Sequence, residues 1–390
     1  MDTLEKTKIT ELLSKLISIP SINPSLSGNA DHNEMDIAIF IRDWLLQHNI
    51  KAHIDEAAPG RPNVYAEIGN GHGPTLCLCG HLDVVDVVEM TIPPFKPAIE
   101  GNRMYGRGSC DMKGGVAAIL SAAVALSEQQ FDGKLILALV CDEEYGSIGA
   151  VDYVKQYSAD ACILTEPSSL KLVLTHKGFV LGKVTVKGKS AHGSRWDLGE
   201  SAIAKMGHVI VGLDELDKNT LRHRKDPLVG PASMHIGLIN GGTGVSTYAS
   251  SCTIHVERRT LPSENMEEVK QELLQSILSA CPDAQIEWYM ERQPFYCDPN
   301  AAIANHVKQA YQAVMGQEAE VAGWGIWSDA AIFQAAGIPT VNIGPTGYGL
   351  HEPVEWVDLD SVAQTANILY HASQAFFEKN LSAIKSAEEI

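Results

Sequence analysis

A chain of 390 residues is longer than one ordinary hydrophobic core supports, so two domains are expected. With 45% hydrophobic and 20% charged residues, its composition is globular rather than disordered or fibrous. The formal net charge of -18, without any Lys/Arg run, argues against a nucleic-acid or anionic-membrane partner.

Residues Thr3 to Ile17 place Leu4, Ile9, Leu12, Leu13 and Leu16 at helical spacing, and Pro20 and Pro24 end the pattern. This opening is polar and lacks a long apolar centre, so it does not read as a signal peptide. No apolar run of roughly 18 residues suggests a membrane span. A second amphipathic helix is expected over Glu34 to Gln47, then strands over Lys51 to Ile54 and Asn63 to Ile68. An apolar strand from Thr75 stops at Gly80 and presents His81, Leu82 and Asp83. Successive side chains of an extended chain alternate, so His81 and Asp83 point one way and Leu82 the other. Pro93, Pro94 and Pro97 mark an irregular loop, and Asp111 to Ser127 is a small-residue helix. Lys134 to Cys141 and Ala161 to Thr165 are continuous apolar runs, the pattern of strands buried on both faces. Strands alternating with helices indicate an α/β domain with a mostly parallel sheet.

The pattern changes near Gly178. Val180 to Val186, Ser233 to Ile239, Cys252 to Arg258 and Ala284 to Arg292 alternate, with helices over Glu200 to Leu216 and Glu264 to Ala280. This predicts a smaller α+β domain, a four-stranded antiparallel sheet covered on one face, inserted at residues 179–293. The α/β pattern resumes with helices Ala302 to Met315, Ser328 to Ala336 and Ser361 to Lys379 and strand Thr340 to Ile343. Residues 1–178 and 294–390 therefore make one discontinuous domain. The eight cysteines, mostly in apolar strands, suit reduced core thiols in a cytoplasmic protein. Cys77 and Cys79 lie on one face of a strand with no second pair nearby and read as packing.

Ligands of open parallel sheets gather beyond the carboxyl ends of strands. His81 and Asp83, then Asp142, Glu143 and Glu144, then Glu166 and His351 all follow such strands, and Asp111 opens a helix in a glycine-rich segment. Alone, each of these residues reads as structural. Together, two histidines and four or more carboxylates at one rim would repel strongly without cations. Mixed imidazole and carboxylate shells suit zinc, manganese or cobalt. One carboxylate could bridge two ions ~3.5–4 Å apart with a water between them. Of the adjacent Glu143 and Glu144, one should ligate while the other faces substrate as a general base.

The segments GHLDVV, MYGRGSCDMKGG, CDEEYGS, LTEPSS, KGKSAHGS, RRTLPSE and GIPTVNIGPTGYGLHEPVE resemble, in order and over nearly the whole chain, one family. It is the di-zinc metallohydrolase family of acetylornithine deacetylase, succinyl-diaminopimelate desuccinylase, aminoacylase and carboxypeptidase G. The resemblance implies a zinc pair, with His81 and Glu166 on one ion, Glu144 and His351 on the other, and Asp111 bridging. It implies Glu143 as base, activating a metal-bridging hydroxide, with Asp83 orienting His81. The inserted domain would serve as a lid and dimerisation domain whose His192 reaches across a homodimer to the tetrahedral oxyanion. Arg259, rather than Arg258, would grip a substrate carboxylate. The implied reaction is amide hydrolysis of an N-acyl amino acid, with a dipeptidase or carboxypeptidase, or a non-catalytic binding relative, as alternatives.

Several positions depart from the family pattern. Ser246 stands where an asparagine that helps hold substrate is usual, Ala249 and Trp196 replace prolines, Thr346 replaces a glycine, and Val354 replaces an acid. Ser246 and Thr346 thus become candidate substrate-binding positions. Trp324, Trp327 and Tyr348 either fill the core or line a pocket for a bulkier, more apolar substrate.

Overall fold

The computed structural model describes residues 4–29 and 31–388, with side chains described through Glu378. Thr3, the expected start of the first helix, lies outside the described residues; the helix runs over Lys6–Ser18. Two compact units are formed. One comprises residues 1–174, 297–322 and 328–390, and the other residues 175–296 with 323–327.

The first unit is built on a sheet whose centre is parallel. Strand Thr75–His81 lies between Lys134–Val140 and Ala161–Leu164, parallel to both, and Thr340–Asn342 adds in parallel beyond Ala161–Leu164. Antiparallel strands flank this core, with Arg61–Ile68 and Lys51–Ala58 on one side and Leu172–His176 on the other. Thr340–Asn342 therefore comes late in the chain yet stands inside the sheet. The central strands are continuously apolar because both faces are buried, as in Lys134–Val140, where six of seven residues are buried. All eight cysteines are free and buried. Burial pushes the Cys79 and Cys162 thiols up, so they stay protonated and pack as small apolar groups.

Segment Ser109–Ser127 is long and apolar enough, by length and composition alone, to cross a membrane; 83% of it is buried in this fold, as befits a core helix. Its first turn is not a regular helix. Asp111 (φ −116°, ψ 96°) and Met112 are non-helical, their peptide bond is cis, and regular helix begins at Gly114. Asp111 thus stands in an irregular turn ahead of the helix it was expected to open. A Cβ on Gly115 would lie 2.2 Å from the Thr165 carbonyl oxygen, so only glycine lets the helix approach the Glu166 strand so closely.

Pro93, Pro94 and Pro97 lie in an irregular loop, as expected, and a small antiparallel sheet of Ala98–Glu100, Arg103–Tyr105, Trp356–Asp358 and Gly347–Tyr348 follows it. It joins the segment before Asp111 to the segments on either side of His351.

The second unit carries a four-stranded antiparallel sheet in the order Ser233–Gly241, Ser251–Thr260, Gly178–Lys187, Gln285–Arg292. Burial alternates residue by residue along Gly178–Lys187 and Ser251–Thr260, because only one face is covered. Helices Ala202–Asn219 and Met266–Ala280 supply that cover, with Leu213 and Leu273 in the same cluster as Val184 and Ile254. Each helix starts at a side-chain cap. Ser201 accepts from the Ala204 N–H, and Asn265 from those of Glu267 and Glu268.

Candidate metal centre

Parallel strands that share a register end on one edge, and the polar residues expected to converge do so there. His81 closes its strand opposite Val140, so Glu143 and Glu144 follow three and four residues on. Asp142 takes a left-handed conformation (φ 68°), and its carbonyl accepts the N–H groups of Tyr145, Gly146 and Ser147. The chain therefore turns at Glu143 and Glu144 instead of remaining extended.

Two groups of side chains with ligand atoms within 4.8 Å of one another result among the described residues: His81, Asp111 and Glu166, and Asp111, Glu144 and His351. Asp111 belongs to both. Its Oδ1 lies 3.1 Å from His81 Nε2, and its Oδ2 lies 3.5 Å from His351 Nε2. Glu166 Oε1 is 3.8 Å from His81 Nε2, and Glu144 Oε2 is 2.8 Å from His351 Nε2. Glu143 belongs to neither group.

The outer contacts orient these atoms. His81 Nδ1 is 2.9 Å from the Asp83 main-chain oxygen, which can only accept, so Nδ1 donates there and Nε2 is the nitrogen that a metal would take in place of a proton. The Asp83 carboxylate was expected to hold that ring but stands 3.6 Å from Nδ1. It accepts the N–H groups of Glu143 (3.1 Å) and Glu144 (3.2 Å) and the side-chain amide of Asn23 (2.8 Å). Asn23 also donates to Asp142, which receives Arg61 at 2.7 Å. Asn342 clamps Glu166 at both its N–H (2.9 Å) and its carbonyl (3.3 Å).

The electrostatics of the cluster call for positive charge. Burial, then the nearby Asp111 carboxylate, pushes Glu144 up to about 7. Burial and neighbouring acids likewise raise Glu143 and Glu166 well above the carboxylate range. Burial alone would lower His81, but Glu166, Asp111 and Asp83 outweigh it and raise the imidazole. Hydrogen bonds to Asp111 and Glu144 push His351 up to about 10. Protons thus collect between the acids where cations would serve better. Two like charges ~4 Å apart cost roughly 4 kcal/mol at an effective dielectric of 20. Glu144 Oε1 is also buried without a hydrogen-bond partner. A pair of divalent cations fits this donor set: mixed imidazole and carboxylate ligands, one shared carboxylate, and an unsatisfied buried oxygen.

Residues 77–375 match the peptidase family M20/M25/M40. The chain belongs to that family. As a member of the M20/M25/M40 peptidases, it is a metal-dependent hydrolase of amide bonds. It is 28% identical over 379 residues to acetylornithine deacetylase of Vibrio cholerae, covering 94% of this chain and 98% of that one. Its fold is similar to that of aminopeptidase PepT from Bacillus cereus, with a TM-score of 0.80 at 19% identity over 95% and 99% of the two chains. It also resembles a dinuclear metal-binding M20 peptidase from Bacillus subtilis, with a TM-score of 0.74 at 17% identity over 96% and 98% of the two chains.

The remaining candidate residues are placed as follows. In the first unit the Thr346 N–H donates to Ser361 Oγ and the Thr346 carbonyl accepts from the same hydroxyl, while Tyr348 is exposed and stacks on Trp356. In the second unit, His192 is exposed, its Nδ1 is 2.8 Å from Ser194 Oγ, and its strand-like contact with Thr247 sets it beside Ser246. Arg258 is fully buried on Glu264, whereas Arg259 is partly exposed, pairs with Glu257 and lies over the Phe179 ring at 5.0 Å. Trp327 is half-buried in the second unit, packs edge-on to His176 and Phe179 and donates to the Gln293 carbonyl. Ala249 is buried, Trp196 is exposed and Val354 is half-buried.

Sequence reasoning missed Glu355. Its carboxylate accepts the N–H groups of Gly108, Cys110 and Asp111 and pairs with Arg107. An acid four residues after His351 was the available signal, but nothing local tied it to Asp111.

Proposed function

We propose that the protein hydrolyses the amide bond of an N-acyl amino acid at a pair of divalent cations, Zn2+ before Co2+ or Mn2+. The observation that carries this reading is the single Asp111 carboxylate facing two separate imidazole-carboxylate groups, with Glu143 in neither yet feeling the charges of Glu166, His81 and Glu144. Cations bound there would polarise the scissile carbonyl and acidify an attacking water. His81 and Glu166 would hold one, and Glu144 and His351 the other. Glu143 then accepts the proton of the water as its oxygen bonds to the carbonyl carbon, and delivers it to the amine nitrogen as the C–N bond breaks. His192 is assigned the stabilisation of the oxyanion and Arg259 the grip on a substrate carboxylate, since a guanidinium binds a carboxylate through two parallel hydrogen bonds. Ser246 and Thr346 are assigned to substrate contact.

The likeness to acetylornithine deacetylase supports an N-acyl substrate. A second reading, a dipeptidase, is favoured by the resemblance in fold to a dipeptidase of Saccharomyces cerevisiae, with a TM-score of 0.72. A panel of N-acetyl and N-succinyl amino acids and dipeptides, assayed with Zn2+ or Co2+, separates them. We expect kcat/KM of about 10⁴ M⁻¹s⁻¹ or more for at least one blocked amine. A requirement for a free α-amine would select the dipeptidase, and no turnover across the panel would remove hydrolysis as the activity. With the best substrate, His192→Ala should lower kcat and Arg259→Met should raise KM; unchanged constants would remove those assignments.

We assign homodimerisation to the second unit. Strand Ser233–Gly241 is a sheet edge, and it leaves Leu238 (65%) and Ile239 (61%) exposed, with Ile203 and Val211 exposed on the helix Ala202–Asn219. Open, apolar edges pair with further strands unless they are protected. Ile239→Lys should weaken self-association by about 30-fold, the loss of one interface hot spot of ~2 kcal/mol. Sedimentation that shows the wild-type chain as a monomer would dismiss the dimer.

A further inference from the structure

We propose that the Arg107–Glu355 ion pair is the positioning element that sets the spacing of the two metal-binding groups. It acts through Asp111 and His351, not on substrate, and rests on the metal reading above. Glu355 is fully buried and Arg107 nearly so. Apolar residues of similar volume would usually serve stability as well as a buried ion pair, so its role lies in what it orders.

The bonds show what that is. Glu355 Oε1 accepts the N–H of Cys110 at 2.8 Å and of Asp111 at 3.0 Å. Its Oε2 accepts the N–H of Gly108 at 2.8 Å and Arg107 Nη1 at 2.9 Å. The main chain of the shared carboxylate ligand is thereby anchored to a residue four positions beyond His351. Arg107 Nη2 extends the tie to the carbonyls of Asp86 at 3.3 Å and Glu352 at 3.2 Å. One ion pair therefore joins the segment after His81, the turn that carries Asp111 and the loop that carries His351. The turn is non-helical at Asp111 and Met112, so no regular helix ladder supplies these bonds. Bonds from N–H groups to a carboxylate are also shorter and stronger than those to a neutral oxygen.

The test is Glu355→Gln in the full chain, followed by Co2+ titration read from visible absorption and by metal analysis. We expect the ion of the Glu144–His351 group to bind 10–100-fold more weakly, the loss typical of an outer-shell partner, and the ion of the His81–Glu166 group to change less. The Co2+ spectrum should also shift as the ligand geometry relaxes. The melting temperature of chelated protein is measured alongside, since a purely structural role lowers it without touching affinity. A variant whose Co2+ spectrum and both affinities match the wild type overturns the proposal, whatever its melting temperature. If Glu355→Gln fails to fold, Arg107→Gln keeps the three N–H bonds and decides the matter by the same titration. About tenfold weaker binding supports the proposal, and wild-type affinities overturn it. Wild-type protein that takes up no divalent ion would instead overturn the metal reading itself.

Discussion

Glu143→Gln should lower kcat by ~10²–10⁴-fold, the share of a positioned general base, while leaving two ions per chain. Glutamine keeps the shape of the side chain and cannot accept a proton at neutral pH. The Glu143 N–H still reaches Asp83, so the turn at the strand end remains. Since the substitution removes one acid from a crowded group, the melting temperature should hold or rise slightly. Metal analysis and steady-state kinetics on one sample check this directly. A variant that keeps a tenth of the wild-type kcat would take the proton transfer away from Glu143.

Asp111→Ala should go further and empty both metal positions. The two oxygens of Asp111 serve different groups, at 3.1 Å from His81 and 3.5 Å from His351, so no remaining carboxylate can substitute for it in both. The affinity for each ion should fall by more than the ~100-fold that loss of an outer-shell partner can cause. His351→Ala is the informative contrast, because it removes one ligand of one group. It should retain an ion at His81 and Glu166. Metal analysis after dialysis distinguishes the two variants. Should Asp111→Ala retain two tightly bound ions, the bridging role would be lost.

Much of this site could be read from the chain because strand ends leave a local mark. His81, Glu143, Glu144 and Glu166 each follow a continuous apolar run, and a parallel sheet brings such ends together. The alternating burial of Gly178–Lys187 and Ser251–Thr260 was equally visible, since a half-covered sheet imposes a period of two. What the chain did not disclose depends on partners far away in sequence. The small sheet that pairs Arg103–Tyr105 with Trp356–Asp358 joins segments some 250 residues apart, each only three residues long. Strands so short carry no usable periodicity. Asp83 was expected to orient His81; its main-chain oxygen makes the 2.9 Å contact, and its carboxylate stands 3.6 Å from the same nitrogen. Asn23 gave no signal at all, being one polar residue ahead of a proline. The departures at Ser246, Ala249 and Trp196 fall in the second unit, where Ser246 and Trp196 are exposed and Ala249 is buried.

The insertion of Thr340–Asn342 between Ala161–Leu164 and Leu172–His176 has a consequence for biosynthesis. A nascent chain carries His81, Asp111, Glu143, Glu144 and Glu166 long before it carries His351, but the gap in its sheet stays open until residues 340–342 have been made. Contacts of such wide sequence separation form slowly, because a large loop must close before any bond rewards it. The rim that gathers His81 and Glu166 is therefore completed by one of the last strands of the sheet to be made, and His351 joins it later still.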